Sequence, residues 1–262
     1  MNLRFINPGI DYMLESIMAF QSDDETAFWS DSLYYFYPQL DKHKAQKMGY
    51  LDRRRYIERV IRTLYVDLEK SINTKVASYS KHWEDNKEQI TNALSEAFEI
   101  NCSDLFEDIA CNISMNPVSP RFLEEKYFEV FYLNSERGAL GVALHEIIHI
   151  IWFYVWNQVF GDNYDEYERP SIKWILSEMV VESIMKDKRL RSINPYFPRE
   201  NGGCIYPYFF DMKVNNCLVL DTIDEMYQTQ DIKSFMKNSY NFCLKYEDEI
   251  RAHIEESENS NR

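Results

Sequence analysis

The chain has 262 residues, 45% hydrophobic and 15% aromatic, which is apolar surface enough to offset the entropy of ordering one large domain, or a helical domain joined to a catalytic one. A formal net charge of -14 and a pI near 4.9 exclude nucleic acid as a partner, because binding phosphates needs Lys and Arg to displace condensed counterions. With only 7 Gly and 8 Pro, turn-dense sandwiches and barrels are excluded in favour of an α+β fold that is mainly α-helical.

The opening Met1-Asn2-Leu3-Arg4-Phe5-Ile6-Asn7-Pro8 lacks the basic region and apolar run of a signal peptide, so the expectation is a cytoplasmic protein. Cys102, Cys111, Cys204, Cys217 and Cys243 are odd in number and scattered, with no CxxC pair, and are expected as free thiols in a reducing compartment. From about Asp11 to Ile100 apolar residues recur at helical spacing, as in Tyr56, Val60, Ile61, Leu64, Tyr65 and Leu68, which predicts a helical N-terminal region over 1–100. The pattern then changes. Two β-prone runs, Ile109 to Met115 and Tyr127 to Leu133, flank the turn-rich Asn116-Pro117-Val118-Ser119-Pro120 and predict two strands of a small sheet. They open a catalytic domain expected over 101–254, with 255–262 as a disordered tail.

After Asn134-Ser135, a helix-capping pair, a strongly apolar stretch runs from Ala139 to Phe160 and stops at Gly161-Asp162-Asn163. Its length raises the question of a membrane span. It contains His145, Glu146, His149, Asn157 and Gln158, no second such segment accompanies it, and the mean hydropathy of the chain is -0.49, so a buried helix and no membrane are expected. A second apolar helix is predicted from Ser171, just after Pro170, to about Lys188, followed by Asn194-Pro195 and a turn at Gly202-Gly203. Helices resume near Asp221, and the last is expected from Ile232 to Ile254.

Within the first of these helices lies His145-Glu146-Ile147-Ile148-His149, an HExxH sequence. Four residues is slightly more than one turn, so both imidazoles project from one face and can meet one cation. Glu146 is offset by about 100° from His145, where its carboxylate can take a proton from water beside the metal. Chance would produce HExxH in a chain of this composition on the order of 1 time in 100. Three ionisable groups on a helix of Ala, Leu, Ile, Val, Trp and Phe are also costly unless paired, at about 1–3 kcal/mol for each unsatisfied group. A metal satisfies all three, and two imidazoles with a carboxylate point to Zn2+.

Catalytic zinc keeps three protein ligands and one open position. The extended HExxHxxGxxH form is absent, because Trp152 and Val155 occupy the positions it would need. His43, His82 and His253 lie in charged segments or near the tail, so a carboxylate is the better third ligand. Glu178 and Glu182 sit four apart on the next helix among almost entirely apolar neighbours. Glu178 is assigned as third ligand and Glu182 as acceptor of the free N–H of a ligating His. The exchange of these roles, or a solvated helix face carrying both, are the alternatives.

HExxH followed by a helix bearing a glutamate and a second carboxylate four residues on resembles the gluzincin branch of zinc metallopeptidases, over about Tyr127 to Met185. That family commonly has Asn-Glu-x-x-x-Asp where this chain has Ser177-Glu178 and Glu182. The resemblance implies a zincin-like catalytic core with a small β-sheet packed on the HExxH helix. It also implies a peptide or protein substrate, and an edge strand at Tyr127 to Leu133 that pairs with it. A Tyr or His usually stabilises the oxyanion in that family, and Tyr206 or Tyr208, after the Gly202-Gly203 turn, are the nominees here. Glu168 and Arg169 are expected in a solvated loop, with a tie to the site as the alternative. A catalytically inactive scaffold that binds a partner, and a hydrolase of non-peptide amides, are the competing functions.

Overall fold

The computed structural model describes residues 1–22, 27–161, 167–195, 198–199 and 203–260. The chain is mainly helical with a small mixed sheet, and among the described residues it falls into two compact units that interleave in sequence.

One unit comprises Asn2–Asp85 and Asp108–Ala143. Its sheet has the order β1-β2-β4-β3, from β1 (Leu3–Ile6), β2 (Ile109–Ser114), β3 (Arg121–Phe122) and β4 (Tyr127–Phe131). β1 and β4 run parallel to β2 on either side, with Phe5 opposite Cys111 and Cys111 opposite Phe128, and β3 lies antiparallel to β4. The sequence reading located β2 and β4 but placed β1 in a helical region, because four residues are too short a run to register as alternation. β4 is also not the edge strand that the family resemblance implied. The turn-rich 116–120 segment brings Arg121 and Phe122 back beside Phe128 and Tyr127, so β3 takes that edge.

The helices of this unit are α1 (Ile10–Ala19), α2 (Ala27–Phe36), α3 (Lys42–Gln46) and α4 (Tyr50–Phe98) as far as Asp85, with the start of α5 (Glu136–Phe160). Ile57, Ile61, Tyr65, Ile72 and Tyr79 form the buried stripe of α4, at spacings of four and seven. The Tyr79 hydroxyl donates to the Asn134 carbonyl at 2.5 Å, just ahead of α5.

The other unit holds Met1, Asn86–Glu107 and the chain from Leu144 onward. It contains the remainder of α5, then α6 (Ile172–Lys186), α7 (Lys188–Ile193), α8 (Val219–Thr229), α9 (Ile232–Lys245) and α10 (Glu247–Ser260). α6 packs against α8 and α9, and every residue from Ile172 to Met185 is buried. Ser171 caps this helix, its hydroxyl accepting from the Trp174 N–H. Aromatic rings fill the space between helices: Trp152 and Trp156 of α5 meet Phe235 and Tyr240 of α9, and Phe153 stacks on Tyr167 at 4.0 Å.

α5 is long and apolar enough to cross a membrane by length and composition, but 72% of its most apolar window is buried inside the protein, which is the pattern of a core helix. The last expected helix is two: the chain turns at Tyr246, where φ is -117°, and α10 continues through 255–260, residues expected as tail. Residues 261 and 262 lie outside the described residues, as does Gly202. Sequence reading also missed a hairpin of β5 (Lys213–Val214) and β6 (Cys217–Leu218), whose Asn215-Asn216 turn has φ of 51° and 62°, as a two-residue hairpin turn of this hand requires.

Candidate metal centre

The HExxH residues lie on α5 and the two glutamates on α6, all in the same compact unit. His145 and His149 project from one face of α5 as their four-residue spacing dictates, with Nε2 atoms 3.1 Å apart. Glu178 reaches both from α6, its Oε2 3.5 Å from His145 Nε2 and its Oε1 3.5 Å from His149 Nε2. Donor atoms of His145, Glu146 and His149 all lie within 4.8 Å of one another. The structure thus brings together four of the five residues singled out by sequence.

Burial sets the chemistry of this cluster. The His149 side chain is 0% exposed and that of Glu178 2%, while His145 retains 17%, so the cluster reaches solvent past His145. Glu146 is buried as well. Ionised carboxylates and imidazoles removed from water in this way need partners or a cation. Two imidazole nitrogens and a carboxylate that converge at this spacing can hold a first-row divalent ion.

Glu182 is buried on the same helix, which rules out the solvated face for both glutamates, but its partners are cations rather than an imidazole N–H. Arg199 Nε donates to both of its oxygens at 3.0 and 3.1 Å, Arg199 Nη2 donates to Oε1 at 2.6 Å, and Lys186 Nζ lies 3.2 Å from Oε1. Arg199 also donates to Asp221 at 3.1 Å. Sequence reading assigned Glu182 to a histidine because Arg199, 17 residues further on, belongs to no helical pattern that would bring it back. The pairing ties the 198–199 segment to α6, and it holds the Arg199 guanidinium well above its ordinary value, Glu182 being the main cause.

The segment after Gly203 lies near the same carboxylates. Burial, then the charge of Glu182 and to a smaller degree that of Glu178, push the Cys204 thiol up to about 12. The Tyr208 phenol is raised well above its usual range, chiefly by burial; Arg169 opposes the shift and Glu178 adds to it. Tyr208, one of the two tyrosines nominated from sequence, thus lies within the field of Glu178. Tyr206 lies against Trp174, ring centres 5.6 Å apart, and stacks on Tyr208 at 5.2 Å. His253, read from sequence as a solvated side chain, has Nε2 2.8 Å from the Tyr208 carbonyl oxygen. Arg169 pairs with Glu258 of α10 and lies 5.9 Å from the Trp174 ring centre. The loop before α6 is thereby tied to the C-terminal helix, a link not legible in the expectation of a solvated loop.

In comparisons with known proteins, no family model, no curated protein and no solved structure matches this chain, so the likeness to gluzincins rests on the residues themselves.

Proposed function

We propose that this protein is a zinc-dependent hydrolase of peptide bonds, with His145, His149 and Glu178 as metal ligands and Glu146 as general base. The observation that carries the reading is the convergence of the two imidazole Nε2 atoms, 3.1 Å apart, on the Glu178 carboxylate, which sets one oxygen 3.5 Å from each. A tetrahedral site with zinc bonds of ordinary length has edges of about 3.3 Å between ligand atoms, close to these separations, which supports the fit of these residues to the ion. Three protein donors is also the number that leaves a position for water, and a core of this kind is what a zincin-like fold provides.

When bound, the metal makes water acidic enough to ionise near neutral pH and polarises the scissile carbonyl. The rest falls to the chain. Glu146, within 4.8 Å of the imidazole donor atoms, accepts the proton of the attacking water and passes it to the departing amine. The Tyr208 phenol, kept protonated by burial, donates a hydrogen bond to the oxyanion. Arg199 and Lys186 hold Glu182 one turn beyond Glu178 and so fix the face of α6 that carries the ligand. The substrate is a peptide or protein, and the five free cysteines support a reducing, cytoplasmic setting.

The test is turnover of a generic peptide mixture, with simple amides alongside, by wild type and by Glu146→Gln. The reading expects cleavage of peptides by wild type and loss of that cleavage in the variant with metal retained. Turnover confined to non-peptide amides would transfer the same chemistry to another substrate, and none at all in a zinc-loaded chain would mark an inactive scaffold.

A further inference from the structure

The face of α6 that carries Glu178 continues into a ladder of flat rings. Trp174 lies four residues before Glu178, one turn earlier on the same face, and is buried. The Tyr206 ring sits 5.6 Å from it at 57°, and Tyr208 stacks on Tyr206 at 5.2 Å and 12°. At its Tyr208 end the ladder enters the field of the Glu178 carboxylate.

The platform that presents these rings is fixed on several sides. Gly203 has a φ of 63°, and a Cβ there would stand 2.4 Å from Cζ of Phe210, so the backbone passes directly under that ring. Phe209 is fully buried and meets both tyrosines edge-on at 6.2 and 4.6 Å. His253 holds the Tyr208 carbonyl. Tyr206 and Tyr208 nevertheless keep part of their surface exposed, unlike Trp174 and Phe209 behind them. Charge of both signs lies beside the ladder: Arg169 and Glu178 both act on Tyr208, and the Arg169 guanidinium, paired with Glu258, also lies 5.9 Å from the Trp174 ring centre. An acidic side chain laid along the rings meets Glu178 and a basic one meets Arg169. A neutral, flat side chain meets neither and gains the offset stacking that aromatic faces favour.

We propose that Tyr206 and Tyr208, backed by Trp174, form the subsite for the substrate residue beside the scissile bond, and that it selects an aromatic side chain. This deepens the metallopeptidase reading and rests on it.

The test is calorimetric binding of blocked peptides that differ at one residue, Phe, Trp, Leu, Ala, Lys or Glu, to the full chain carrying Glu146→Gln. Titrations are run zinc-loaded and metal-free, with zinc content and circular dichroism recorded for each variant. Phe and Trp peptides are expected to bind about tenfold tighter than Ala. Tyr206→Ala brings that ratio within about twofold, whereas Tyr206→Phe preserves it. If Tyr206→Ala fails to fold, Tyr206→Leu, which keeps apolar volume without a flat face, decides in its place. Equal binding of Phe and Ala peptides, absence of binding by all of them, or a ratio that survives loss of the Tyr206 ring overturns the proposal. Failure of the metallopeptidase reading registers separately, as a wild type that binds no zinc or whose turnover is indifferent to Glu146→Gln.

Discussion

His149 and Glu178 are almost wholly enclosed, and for that reason a change at either acts first on metal affinity rather than on surface properties. Glu178→Gln keeps the shape but removes the charge. It is expected to weaken zinc at least as much as the ~10–100-fold that loss of a mere supporting group costs, as read by competition with a chelator. Unchanged affinity would remove Glu178 from the ligand set. Glu146 behaves differently, because it acts on a proton: Glu146→Gln is expected to lower kcat by about 10²–10⁴-fold while zinc content stays at the wild-type value. Arg199 offers a third test. Arg199→Ala leaves Glu182, 1% exposed, with Lys186 as its remaining ion-pair partner among the described residues, and should lower stability by about 3 kcal/mol in urea unfolding. Replacing Glu182 by Leu in the same chain should restore much of that loss, since the stranded charge is then gone. A double variant as unstable as Arg199→Ala alone would show that lost packing, not the charge, sets the cost.

At the scale of elements, periodicity and caps made α5, α6, β2 and β4 legible, because each is a run of at least five residues with a strong apolar pattern. The start of α6 just after Pro170 and the common face of His145 and His149 followed from sequence alone. What escaped is short or depends on distant partners. β1 and β3 have four and two residues, and the hairpin announces itself only by Asn215-Asn216. Arg199 reaches Glu182 from a segment with no period, so the spacing of Glu182 from Glu178 pointed to a histidine that it does not touch. The Tyr206 to Tyr208 platform shows how a local signal and a tertiary one combine. Gly203 was readable as a turn, but its need for glycine comes from the Phe210 ring above it. Gly203→Ala combines that clash with an unfavourable positive φ and is expected to cost about 1–3 kcal/mol, seen as a lower Tm. An unchanged Tm would mean that the ring and backbone relax freely there.

Over the whole molecule, one buried carboxyl makes stability depend on pH in a direction opposite to ordinary surface acids. Glu129 of β4 is 0% exposed and accepts from the Tyr12 hydroxyl at 2.9 Å and the Ser16 hydroxyl at 2.5 Å, both on α1. Burial raises it above its usual 4.5, against the hydrogen bonds from Ser16, Ser114 and Tyr12 that favour its charged form. The neutral form is therefore favoured by folding. Its contribution is complete below about 4.5, the unfolded value, and is lost as pH rises through the folded value. Glu129→Gln, neutral at every pH, should match wild type near pH 4 and exceed it at pH 8, as read by thermal unfolding across that range. Parallel curves for the two proteins would contradict the assignment. The central claim, however, is the metal. Its most direct test is zinc stoichiometry by mass spectrometry on gently purified wild type, His149→Ala and Glu178→Ala. The account predicts about one zinc per wild-type chain and marked loss in both variants. A wild type that carries no divalent metal and takes up none on addition of zinc would contradict it.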